Sequence, residues 1–220
     1  TYITNITSMT SDQVAAMTTS QLSKFSDLST LVPAADGIAA LTTAQIAALT
    51  STQIQNLGTD YVAAMTTSQV RALKTTQLNK FDATQVAAIE NEDLASLTAT
   101  QLKGFSATQI GALVATSQIG ALTSSQIAAF TTSQIQSLSN TQIANLTSDQ
   151  IRGLTASQIS KMSATQVSNF EAADFAALNA TQIKALNTSQ IQGLTAGQVA
   201  AMTSTQATAL TSAQITKLAV

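Results

Sequence analysis

Residues 122–154, LTSSQIAAFTTSQIQSLSNTQIANLTSDQIRGL, run through one eight-residue pattern four times without interruption. By slot the pattern reads Thr or Ser, small polar, small polar, Gln, Ile or Val, small, small, and Leu, Phe or Met. So short a unit cannot bury an apolar face alone. Its stability has to come from stacking on other copies of itself, so the period fixes the architecture before any other feature is considered.

Within one octad, Thr followed three residues later by Gln is the capping-box pattern at a helix start. The hydroxyl accepts the Gln backbone N–H, and the Gln side chain accepts the backbone N–H of the Thr. The pairs Thr123 with Gln126, Thr131 with Gln134, and Thr147 with Gln150 are the candidate structural caps. The Leu closing one octad precedes the next cap, so Leu122 and Ile127 are spaced as a hydrophobic staple. Ile127, Phe130, Ile135, Leu138, Ile143 and Leu146 are the candidate core of the same stretch. Each octad is expected to form about two turns of helix.

The charges support short separate helices. All 11 acidic residues fall in slots one to four, and the basic residues, apart from Lys74, fall in slots six and seven. Acids at the start and bases at the end complement a helix dipole octad by octad, as they do only if each octad has its own termini. One continuous helix is disfavoured, because an eight-residue repeat drifts by roughly 80° per unit and winds its apolar stripe into solvent. A β-helix is disfavoured by apolar spacings of three and five and by Ala pairs such as Ala63-Ala64.

In register, fourteen octads cover residues 2–113 and thirteen cover 115–218, with Val114 as a one-residue insertion and the whole 1–220 chain a single array. The insertion predicts a local kink or register step. The clearest irregularity is residues 26–33, SDLSTLVP, where Thr30 and the only proline, Pro33, take the apolar slots five and eight; the expectation there is a bent or looped repeat. Gly37, Tyr61, Asp93 and Asp174 replace Gln in slot four, and the last two belong to octads that open with Glu90 and Glu171, where a different capping arrangement is expected. Ala207 replaces the slot-five aliphatic.

The predicted fold is all-α: a solenoid of short two-turn helices, one per octad, coiled around a continuous apolar core. No spare residues separate the units, so the chain must bend at each Leu–Thr junction, and the number of octads per turn is left open by the sequence. Small residues in slot seven let neighbouring helices approach closely. Phenylalanines and methionines sit in slot eight, or in slot five for Phe175, and read as core fillers rather than a ligand box.

Composition excludes several function classes. A formal charge of −2 with 9% charged residues is far from a polybasic nucleic-acid partner. No apolar run approaches the length of a membrane span, so no membrane insertion is expected. The chain has no Cys and no His. Disulfides and thiolate metal sites are therefore ruled out, and the abundant Ser and Thr have no His to act as base. Glu90, Glu92 and Asp93 form the densest acidic cluster and read as a helix start rather than a calcium site. No catalytic residue, metal ligand or cofactor is expected. The opening TYITNITSM has neither an initiator Met nor an apolar signal region, which suggests a processed protein or a piece of a longer one.

The octads LTTAQIAAL, LTSSQIAAF and LTASQISKM resemble the short Thr/Gln/Ala repeats of very large secreted or cell-surface proteins of Gram-negative bacteria. That resemblance covers nearly the whole chain and implies a stalk, fibre or coat outside the cell; it transfers no functional residue. A local likeness to the LTxxQVxxI of plant-pathogen DNA-binding effectors is set aside, because their longer unit, specificity residues and basic surface are missing. The expected function is a non-enzymatic structural rod, stalk, fibre or surface-layer element that self-associates end to end or side by side. The alternative is a binding module presenting ordered Thr, Ser and Gln rows to ice, carbohydrate or a protein ligand.

Overall fold

The computed structural model describes residues 9–29, 31 and 36–218. Every regular element among them is a helix; there are 25, each of four to six residues. A representative octad is helix Thr43–Ala48, with Thr42 extended before it at ψ 156° and Leu49 extended after it at ψ 135°. Slots eight and one thus form an extended corner. Many of the helices hold about one and a half turns rather than the expected two. Among the described residues the chain bends at the junctions without spare linker, and in octads with a six-residue helix two residues are left for the bend.

Two compact units are present, Thr1–Ala112 and Leu113–Val220. In the first, helix Thr67–Ala72 packs on Thr43–Ala48 and on Asn91–Ser96; in the second, Ser148–Gly153 packs on Ser124–Ala129 and Ala196–Ala201 on Ala172–Ala176. Each of these pairs is three octads apart. Side chains in slot four reach four octads back, as described below, so within each unit a turn of the solenoid takes between three and four octads.

The core runs down slots five and eight. Ile127, Ile135 and Ile143 are fully buried, and Phe130, Leu138 and Leu146 are 3% exposed. Burying such side chains contributes about 1.5–3 kcal/mol each. Slot seven is small for a visible reason at Gly153, where an added Cβ would lie 2.7 Å from the backbone oxygen of Ser124 on the neighbouring helix.

Both irregular places keep the core spacing. Among the described residues of 26–33, Leu28 and Leu31 are buried, two positions upstream of slots five and eight but still three apart. The Asp27 carboxylate accepts the Ser29 N–H at 2.8 Å and the Leu31 N–H donates to the Leu28 carbonyl at 3.0 Å, which closes a tight turn. Thr30 and Pro33, expected to take the two apolar slots, lie outside the described residues. The Val114 insertion is absorbed inside one helix start. The Val114 N–H donates to Gln118 Oε1 at 2.7 Å, and the Ile119 N–H donates to the Val114 carbonyl five residues back at 3.2 Å. Val114 therefore stands in for the cap residue without a hydroxyl, and the first turn is one residue wider.

Candidate functional site: a ladder of glutamine clamps

The capping boxes are built locally. Thr123 N–H donates to Gln126 Oε1 at 2.8 Å while the Gln126 N–H donates to Thr123 Oγ1 at 3.2 Å. The same exchange joins Thr131 with Gln134 at 2.7 and 3.2 Å, and Thr147 with Gln150 at 2.8 and 3.3 Å. Asp82 serves as a cap too, and its carboxyl is held below the ordinary aspartate value by the Thr84 hydroxyl and then by the Gln85 backbone N–H.

The capping oxygen uses only half of the glutamine. The other half, the Nε2 amide, donates to two backbone carbonyls four octads upstream. Gln85 Nε2 reaches Ile54 and Leu57 at 2.8 and 2.7 Å, and Gln150 Nε2 reaches Ile119 and Leu122 at 2.7 and 2.6 Å. In both of these target octads the acceptors are the slot-five and slot-eight carbonyls; Gln101 instead reaches the slot-six carbonyl of Arg71 and the slot-eight carbonyl of Leu73. The slot-five carbonyl already accepts the slot-eight N–H, as Ile54 does from Leu57. The slot-eight carbonyl belongs to the unpaired C-terminal end of a helix, where a buried acceptor needs a partner from elsewhere.

One side chain therefore closes the start of its own helix and the end of another about thirty residues earlier. This explains how 4–6-residue helices persist, since helices so short are marginal in isolation. It also explains the buried polar atoms. Gln53, Gln142, Gln190, Gln198 and Gln206 are at most 1% exposed, yet among the described residues no buried side-chain nitrogen or oxygen lacks a hydrogen bond.

Sequence reasoning identified the capping oxygen and missed the amide. A signal was present: a capping box admits Glu as readily as Gln, yet Glu never occupies slot four. A carboxylate could accept the cap N–H but would face two carbonyl oxygens with nothing to donate.

The departures from Gln follow the same logic in part. Tyr61 stands four octads after residues 26–33, the irregular octad that contains the Leu28–Leu31 turn. Its hydroxyl is pushed above the ordinary tyrosine value by burial and then by Asp27 and Asp60. Gly37 would address residues 2–9, of which only Met9 is among the described residues. Asp93 and Asp174 are buried acids in slot four, and the Ser148 hydroxyl donates to Asp174. As expected for these two octads, the starts differ: Glu90 and Glu171 make no side-chain cap. Glu92 and Asp93 lie in the first turn of helix Asn91–Ser96.

An open depression of about 550 Å³ lies between Gln136, Ser139, Asn140, Lys161 and Ser163 in the second unit. Gln136 Nε2 donates across it to the Lys161 carbonyl at 2.8 Å. Its polar groups are amides, hydroxyls and one ammonium, a set without an acid–base pair. Among the described residues no group of three or more acidic side chains is placed to hold a metal ion, and no helix is long and apolar enough to cross a membrane.

Fold and ladder together define a structural tandem-repeat protein of the all-α solenoid class. Residues 86–115 and 167–204 match the family model of the ALTTAQ repeat. The six letters themselves occur at residues 40–45, where Thr42 is a cap and Gln45 a clamp. A comparison with curated proteins finds no match.

Proposed function

We propose that the chain is a non-enzymatic structural element, a rod, stalk or fibre segment exposed outside the cell, which extends by end-to-end association. The observation that carries this reading is the glutamine ladder. The recurring buried polar side chain, in octad after octad, is spent on joining one turn of the solenoid to the next, which favours mechanical continuity. The absence of His and Cys from the sequence points the same way, as does an outer surface of Thr, Ser, Asn and Ala with few charges. The extracellular setting rests on the resemblance of the octads to bacterial surface-protein repeats.

Negative-stain electron microscopy of the purified chain across a concentration series, with circular dichroism in parallel, tests the proposal. Uniform filaments that lengthen with concentration, with a helical spectrum, are the expected result. Particles that stay single at every concentration would remove the assembly part of the reading and leave the spacer part standing.

A further inference from the structure

We propose that octad 90–97 carries a cation site: the Asp93 carboxylate and the backbone carbonyls of Val62 and Met65 hold a hard divalent ion, calcium, where a regular octad places its glutamine amide. The inference goes beyond the structural role above and does not depend on how copies of the chain associate.

The site is a rung of the ladder without its donor. On one side of it Gln85 Nε2 donates to the Ile54 and Leu57 carbonyls, 31 and 28 residues back, and on the other Gln101 Nε2 reaches Arg71 and Leu73. Asp93 holds slot four between them, and the spacing of 31 and 28 residues seen at Gln85 puts Val62 and Met65 opposite it. The Val62 carbonyl accepts the Met65 N–H at 3.3 Å, as a regular slot-five carbonyl does, but among the described residues no donor reaches the Met65 carbonyl. Asp93 cannot supply one, because an ionised carboxylate only accepts. It is also one methylene shorter than glutamine, which leaves a gap where the amide would stand.

Two further observations bear on what fills the gap. Asp93 is only 5% exposed, and no hydrogen bond to its carboxylate forms among the described residues; its oxygens keep the trace of solvent access through which an ion enters. A carboxylate buried against carbonyl oxygens is costly without a counter-charge. One water could donate to both carbonyls and would still leave that charge uncompensated. Glu90, in the cap slot beside Asp93, is exposed and makes no side-chain cap, so its carboxylate is available at the rim. Carboxylate and carbonyl oxygens with no nitrogen or sulfur are the ligand chemistry of calcium.

The second unit supplies the contrast. Asp174 is the same replacement in an octad that opens with Glu171, yet there the Ser148 hydroxyl donates to the carboxylate. The residue equivalent to Ser148 in the first unit is Thr67, which makes no such bond to Asp93. Slot three of octad 90–97 adds Glu92, where octad 171–178 has Ala173. Asp174 thus has a protein donor, and Asp93 is left to a cation.

The test is titration of the full chain, stripped of metal by a chelator, with calcium chloride, followed by calorimetry and by thermal melts read in circular dichroism. The parent should bind about one ion per chain and melt higher in calcium than in chelator. Asp93→Gln restores the amide of a regular rung. It should lose calcium affinity at least about tenfold and melt above the parent in chelator. Asp93→Asn keeps the shape without the charge and should lose the calcium response without that gain; it also decides the matter if the glutamine variant fails to fold. Asp174→Gln should leave the calcium response in place. A parent with the same melt in calcium and in chelator, and no heat of binding, would overturn the site. So would calcium binding that survives both Asp93 variants, or magnesium acting as calcium does at equal concentration, which is the mark of diffuse charge screening.

Discussion

The side-chain amide of Gln85 donates to the backbone carbonyl of Ile54, 31 residues earlier, at 2.8 Å, while the oxygen of the same amide accepts the Asp82 N–H at 2.9 Å. A single residue thus belongs to a local motif and to a long-range one. The two roles separate on substitution.

Gln85→Glu retains the capping oxygen and loses the clamp, leaving the Leu57 carbonyl without its donor and setting a carboxylate against it. A destabilisation of about 2–4 kcal/mol in urea unfolding is expected. Ser106→Ala, which removes only a cap hydroxyl, should cost about 0.5–2 kcal/mol. Gln13→Glu, where the amide has no described acceptor, should stay within about 0.5 kcal/mol of the parent in dilute solution. Equal losses at Gln85 and Gln13 would show that the long-range half of the ladder contributes nothing.

Two glycines should respond oppositely to alanine. Gly153→Ala pushes a Cβ to 2.7 Å from the Ser124 oxygen and 2.9 Å from its Cβ, so a loss of about 1–3 kcal/mol is expected. At Gly120, inside helix Gln118–Ala121, an added Cβ would meet nothing within 4 Å. Gly120→Ala should therefore gain up to about 1 kcal/mol from helix propensity. Thermal melts of the two variants settle the contrast by the sign of the shift.

Removing Val114 together with Ala115→Thr would restore a regular octad between Leu113 and Gln118. The pair of changes supplies the missing cap hydroxyl and takes away a residue that is 39% exposed. A gain of about 1 kcal/mol is expected. Hydrogen exchange should report slower opening of helix Gln118–Ala121, and unchanged or faster exchange there would contradict the shifted-cap geometry.

Asp82 gives the array a small pH dependence. Its folded carboxyl titrates below the ordinary value, held first by the Thr84 hydroxyl and then by the Gln85 N–H. The contribution is therefore complete above the ordinary aspartate range and is lost as pH falls through the lowered folded value. Asn caps equally well here, since Asn179 Oδ1 accepts the Gln182 N–H at 2.9 Å. Asp82→Asn should thus match the parent near neutrality and gain on it in acid, by less than about 1 kcal/mol because the site is exposed. Carboxyl NMR titration provides the direct check; a stability difference flat across the acid range would count against it.

Much of the fold was legible because it is written locally. Thr123 and Gln126 sit at capping-box spacing, Ile127 and Phe130 fall three apart on one face, and the acids precede the bases within each octad. All of these act within one helix and need no knowledge of the neighbours. The clamp was legible only as a composition rule, Gln and never Glu in slot four, whose meaning depends on which carbonyls lie opposite. Residues 26–33 show the same limit: their spacing marked them as irregular, yet that Leu28 and Leu31 are buried depended on which apolar pair could face the core.

The sequence by itself determined that the chain would be a string of short capped helices with slots five and eight inside, because caps, staples and apolar period are properties of eight consecutive residues. Only the tertiary structure decided that each turn takes between three and four octads and that the amide of Gln150 meets Ile119 and Leu122. Those pairings span 28 and 31 residues. They are set by how many corners bring the chain back over itself, and that count depends on the accumulated bend of successive extended junctions, a quantity no single octad encodes.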